Sequence, residues 1–126
     1  MRWKFTCTSV TGKAHTDRGE SGQDFCRAGT VLLSDSEFFI GIAADGAGST
    51  TDGGRGAEIV SGTLYAQIIN AVRNNGDLSG ITDEDVRNWI TASRKAIVAD
   101  SQESGKRLRE YACTCLLYTS PSPRDS

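Results

Sequence analysis

Lysine is absent from the whole stretch between Lys13 and Lys95. That absence excludes a phosphate-binding P-loop of the Gly-x4-Gly-Lys-Ser/Thr type from the one glycine-dense segment of the chain. Long apolar runs are also missing: no window approaches the roughly 20 residues of a membrane span, and MRWKFTCTSV lacks the apolar core of a signal peptide. A soluble, cytoplasmic protein is expected. Basic excess is absent as well, since 14 Lys and Arg against 16 Asp and Glu leave a formal charge of −2. With no basic runs interleaved with aromatics, neither nucleic acid nor an anionic membrane surface is expected as a partner. Histidine occurs once, as His15, and the four cysteines form no paired CxxC zinc pattern. Without a secretory signal, Cys7, Cys26, Cys113 and Cys115 read as ordinary buried thiols.

What is present is concentrated in FFIGIAADGAGSTTDGGRG, residues 38–56. An apolar strand ends in Asp45, and five of the next eleven positions are glycine. Glycine loses the most backbone entropy on folding, so such density needs a backbone approached closely or held in unusual conformations. A dinucleotide fingerprint fits poorly, because Gly46 and Gly48 are followed by Thr51 at the third position, and an acidic strand terminus would face the pyrophosphate. A hard cation fits better. Asp45 would supply a carboxylate at the end of a buried strand and Gly46 a backbone carbonyl, the oxygen donors that Mg²⁺ and Mn²⁺ prefer.

A chain of 126 residues with 37% apolar content is long enough for one packed domain. Alternation of Trp3, Phe5 and Cys7 predicts a first strand over Arg2–Val10. A polar loop follows, then a second strand from Asp24 to Leu33, a turn at Ser34-Asp35-Ser36, and an apolar, central strand from Phe38 to Ala44. Three strands with short connections predict an antiparallel meander. Ala57, Ile59, Val60, Leu64, Ile68, Ile69 and Val72 recur at helical intervals until Asn74-Asn75-Gly76 stops them. Thr82 and Asp85 begin a second helix through a variant capping box, with Val86, Trp89, Ile90, Ile97 and Val98 on one face, fading near Ser104-Gly105. Asp52 reads as the N-cap of the first helix, and Trp3 and Trp89 as core anchors. The pattern is α+β, with both helices laid on a sheet face.

The order Gly12…His15…Gly22-Gln23-Asp24, then Ala44-Asp45-Gly46-Ala47-Gly48-Ser49, then a helix near Gly56-Ala57, resembles the N-terminal part of the metal-dependent protein phosphatases, the protein phosphatase 2C-like family, in its bacterial branch. Tyr111-Ala112-Cys113-Thr114 is similar to the start of that family's next strand. The resemblance implies a truncated α-β-β-α sandwich, with antiparallel sheets flanked by helices. It further implies hydrolysis of phosphoserine or phosphothreonine by a metal-activated water, with two Mn²⁺ or Mg²⁺ ions in a full-length parent, a phosphoprotein substrate and a cognate serine/threonine kinase. By position, Asp45 would bridge the metals, Gly46 would offer its carbonyl, Asp24 would orient the water, Gln23 would be a further ligand and Arg18 would grip the substrate phosphate. His15 fits the branch's pattern without an assigned proton-transfer role.

Departures from the family are Gln23 in place of a frequent glutamate, Ala47 in place of the eukaryotic histidine, and Ser49 in place of glycine. Back-translated, Cys115–Asp125 matches a transposase adapter of sequencing libraries. Native phosphatase sequence is therefore expected over residues 1–114 and an adapter-derived tail over 115–126. The later aspartates of the family have no counterpart before Thr114, so this fragment alone is expected to be inactive. Two other readings stay open: a non-catalytic phosphatase-like binding or regulatory module, and a small nucleotide-binding α/β domain, which parallel strands would favour.

Overall fold

A computed structural model describes residues 3–10, 13, 17, 22–33, 36–48, 51–76 and 78–120. Strands β1 (Asp24–Leu33), β2 (Ser36–Gly46) and β3 (Cys113–Ser120) form one sheet in the order β1-β2-β3. Helices α1 (Gly53–Asn75) and α2 (Asp83–Ser104) and a short 3₁₀ turn (Leu108–Tyr111) lie between β2 and β3. Both strand pairings are antiparallel, from Asp24↔Asp45 to Leu33↔Ser36 on one side and from Phe39↔Ser120 to Gly46↔Cys113 on the other. The chain is α+β, as its pattern predicts. A nucleotide-binding domain built on parallel strands loses its premise.

The apolar β2 is central, and its two faces differ. Phe38, Ile40, Ile42 and Ala44 alternate onto the buried face, where α1 covers them with Leu64, Ile68 and Val72. Ile40 and Ile68 are fully buried, each worth about 1.5–3 kcal/mol of transfer free energy. α1 ends at Gly76, whose φ of 81° is the left-handed conformation glycine adopts without strain, and the Gly76 amide donates back to the Val72 carbonyl. At Thr82 both arms of the predicted capping box form: the Asp85 amide donates to the Thr82 hydroxyl, and the Thr82 amide to the Asp85 carboxylate. Gly105, with φ 72°, closes α2 where expected.

Four expectations need correction. Residues 3–10 form no strand. They lie across the open face of the sheet, where the Trp3 and Phe5 rings stand 5.3 and 5.5 Å from that of Phe39. The third strand is therefore β3, which reaches β2 after both helices, and the three strands are not a sequential meander. Cys7 and Cys26 are not thiols but a disulfide that pins this crossing segment to β1; Cys113 and Cys115 are free. Finally, only α1 lies broadly on the sheet. α2 packs on α1 and the 3₁₀ turn, leaving between itself and β3 an apolar pocket of about 870 Å³ lined by Trp89, Ile97, Cys113, Cys115 and Leu117 among others. Among the described residues no helix is long and apolar enough to cross a membrane.

Candidate functional site

Asp24 opens β1 and Asp45 nearly closes β2, and the antiparallel register sets them directly opposite each other. Opposed residues share a face of the sheet. Both carboxylates stand exposed on the face that α1 leaves open. They border a shallow pocket whose other walls are Thr8–Val10, Cys26, Ala43, Thr114 and Leu116. Like charges directly opposite destabilise a sheet, a cost that a cation bound between them removes.

Immediately behind the pair, the chain turns sharply. The Gly46 amide donates to the Gln23 carbonyl at 2.9 Å. A Cβ on Gly46 would stand 2.6 Å from the Gly53 carbonyl oxygen and 2.7 Å from the Gly54 nitrogen, so the first turn of α1 rests against the end of β2. Gly54 in turn lies on Gln23, since a Cβ there would come within 3.3 Å of the Gln23 Cα and 3.6 Å of its Cγ. These close approaches account for glycine at 46 and 54. Gln23, Asp24, Asp45 and Gly46 are thus gathered at one end of the β1-β2 ladder beside the start of α1. Arg18 and His15 lie outside the described residues.

Asp52 occupies the N-cap position of α1 but makes no side-chain cap bond. This corrects its expected role: its carboxylate meets Lys106 Nζ at 2.6 Å instead, which raises the lysine pKa. That ion pair belongs to a network the sequence did not reveal. The Thr51 amide donates to Glu110 Oε2 at 3.1 Å, and the Thr51 hydroxyl lies 3.1 Å from both Glu110 Oε2 and Asp52 Oδ2. Together they hold the Glu110 carboxyl below its ordinary range. Arg55 bridges α1 to α2 by donating to Asp100 Oδ1 from Nη2 at 2.8 Å, and also pairs with Glu58. The Tyr111 hydroxyl donates to Asp100 Oδ2 at 2.8 Å. The Arg55 and Tyr111 hydrogen bonds depress the Asp100 pKa. Apart from Arg55–Glu58 and Asp100–Tyr111, the partners are separated by 45 to 59 residues along the chain, so no local spacing signals them.

The donor set can be compared with what a hard divalent cation needs. Two opposed carboxylates and a neighbouring backbone carbonyl are the right chemistry. Among the described residues, no group of three or more His, Cys, Asp or Glu side chains comes together to hold an ion. Asp24 and Asp45 are two carboxylates, one short of the smallest such group.

A sequence model of the protein phosphatase 2C family matches residues 11–124. Serine/threonine-protein phosphatase 3 of Escherichia coli (strain K12) is 30% identical over 123 residues, covering 96% of this chain and 48% of that protein. The chain thus spans about half the length of the curated relative it matches. No solved structure gives a significant match. The matched segment runs past Thr114, as does β3.

Proposed function

The chain belongs to the protein phosphatase 2C family, and on that premise we propose that it is the N-terminal part of a metal-dependent protein serine/threonine phosphatase. The observation that carries the proposal is the opposition of Asp24 and Asp45 at the open end of the β1-β2 ladder, beside a glycine-lined turn. In this reading Asp45 and the Gly46 carbonyl would hold Mn²⁺ or Mg²⁺, with Gln23 as a further ligand and the rest of the ligand set coming from sequence outside this chain. When bound, the ions would supply Lewis acidity for activating water and neutralising phosphoryl oxygens. Asp24 accepts a hydrogen bond from the attacking water and orients it toward phosphorus. Arg18 grips the substrate phosphate, as a guanidinium does through paired hydrogen bonds. Water attacks directly, so no side-chain nucleophile is required. The substrates are phosphoserine- or phosphothreonine-bearing proteins, supplied by a serine/threonine kinase.

A second reading, a phosphatase-like module that binds without catalysis, is favoured by Gln23 and Ala47, which stand where the family often has glutamate and, in its eukaryotic type, histidine. One experiment separates the two. A full-length protein carrying this segment is assayed for p-nitrophenyl phosphate and phosphopeptide hydrolysis with and without Mn²⁺, beside its Asp45→Asn variant. Metal-dependent turnover that the substitution abolishes supports the enzyme. A folded full-length protein without turnover leaves the binding module.

A further inference from the structure

We infer that Glu110 is a positioning residue for the glycine loop, holding the loop's returning arm in place behind Asp45; the inference rests on the reading of that loop as part of a phosphatase centre. The loop leaves β2 at Gly46 and comes back to it at Gly53, where the two backbones touch. Segment 110–112 runs along both arms. On the outgoing arm, the Ala47 amide donates to the Ala112 carbonyl at 2.8 Å. On the returning arm, the Asp52 amide donates to the Glu110 carbonyl at 3.0 Å, and the Thr51 amide donates to the Glu110 carboxylate. Glu110 thus accepts from the amides of two consecutive loop residues, and the Thr51 hydroxyl lies 3.1 Å from its carboxylate as well as from that of Asp52.

Glu110 suits this task because its backbone is itself fixed. It closes a 3₁₀ turn by donating to the Arg107 carbonyl at 3.0 Å, and the neighbouring Tyr111 is buried. Its side chain is only 27% exposed, and Arg109 Nε lies 3.9 Å from the other carboxylate oxygen. A hydrogen bond to a charged acceptor is stronger than one to a neutral acceptor. With the Asp52 amide held by the Glu110 carbonyl as well, these contacts dock the returning arm. The arm's position matters at Asp45 because Gly46 and Gly53 have no slack between them: movement of the α1 start is transmitted to the residue next to the carboxylate.

The test uses the full 126-residue chain and compares wild type with Glu110→Ala, Glu110→Gln and Asp45→Asn. Amide hydrogen exchange is followed through residues 46–53 and through α2, and Mn²⁺ binding is read by electron paramagnetic resonance on the same variants of a full-length protein carrying this segment. Glu110→Ala should lower protection of the loop at least about tenfold while α2 is unchanged, and weaken Mn²⁺ binding. Glu110→Gln, which keeps an acceptor oxygen for Thr51, should restore both to near wild type. Unchanged loop exchange in Glu110→Ala overturns the inference; so does equal loosening of loop and α2, or failure of Glu110→Gln to rescue. If the loop follows the expected pattern while Asp45→Asn binds Mn²⁺ as wild type does, the positioning role stands and the metal reading of Asp45 falls.

Discussion

Gly46 and Gly53 meet backbone to backbone, so that the strand carrying Asp45 and the first turn of α1 share one contact without a side chain between them. Gly46→Ala should cost about 1–3 kcal/mol through overpacking, seen as a lower urea midpoint with an unchanged denaturant slope. In the full-length parent the same substitution should weaken Mn²⁺ activation, because the displaced helix start moves with Asp45.

Core packing should discriminate sharply between two isoleucines. Ile68 is fully buried between α1 and the sheet, whereas Ile90 on α2 is 58% exposed. Ile68→Ala is expected to destabilise by about 2–5 kcal/mol, and Ile90→Ala by about 0.5 kcal/mol or less. Paired urea titrations check the difference.

Acid should loosen the α1–α2 junction. The Arg55 and Tyr111 hydrogen bonds hold the Asp100 carboxyl below its ordinary 3.8, and Thr51 holds the Glu110 carboxyl below its ordinary 4.5. A carboxyl with a lowered folded pKa stabilises the fold above its unfolded pKa, and that contribution is lost as the pH falls through the folded value. Stability measured from pH 6 downward should therefore fall below about pH 4.5, and Asp100→Asn should flatten the slope. Lys106 acts at the other end: its pKa is raised by Asp52, so its contribution is present below the ordinary lysine range and lost as the pH rises through the folded value.

Reduction should release the segment that crosses the open sheet face. Cys7 and Cys26 are 19 residues apart, and closing a loop of that size constrains the unfolded chain by about 3 kcal/mol in the entropic account. Dithiothreitol should lower the melting temperature and increase hydrogen exchange in residues 3–10, with α2 little affected. Cys7→Ser should behave as the reduced chain does, and non-reducing peptide mapping checks the bond directly.

Local signals made the helices legible. Thr82 with Asp85, Gly76 and Gly105 act within one turn of where they stand, so spacing alone marks both ends of α2 and the end of α1. The antiparallel pairing of β1 with β2 was readable from two strands joined by a short connection; the register that sets Asp24 opposite Asp45 was not. Residues 3–10 show where this fails. Alternation of Trp3, Phe5 and Cys7 records that one side of the segment is apolar, and Trp3 and Phe5 do pack on Phe39. It does not record whether a strand edge is within reach. The Glu110 clamp and the Arg55–Asp100 bridge were invisible for a related reason: with partners 45 to 59 residues away, Glu110, Arg55 and Asp100 look, in sequence, like any solvated charges.

The position of β3 bears on how this chain behaves in a tube. It is one of the two outer strands of the sheet, and Leu116, Leu117 and Tyr118 on it are 77%, 40% and 59% exposed. Its outward row of amides and carbonyls faces no further strand among the described residues, and none of these three side chains carries a charge to repel a neighbour. Two chains can therefore template each other edge to edge. Light scattering should rise with protein concentration, and a lysine at Leu116 should suppress the rise while leaving the monomer's fold intact.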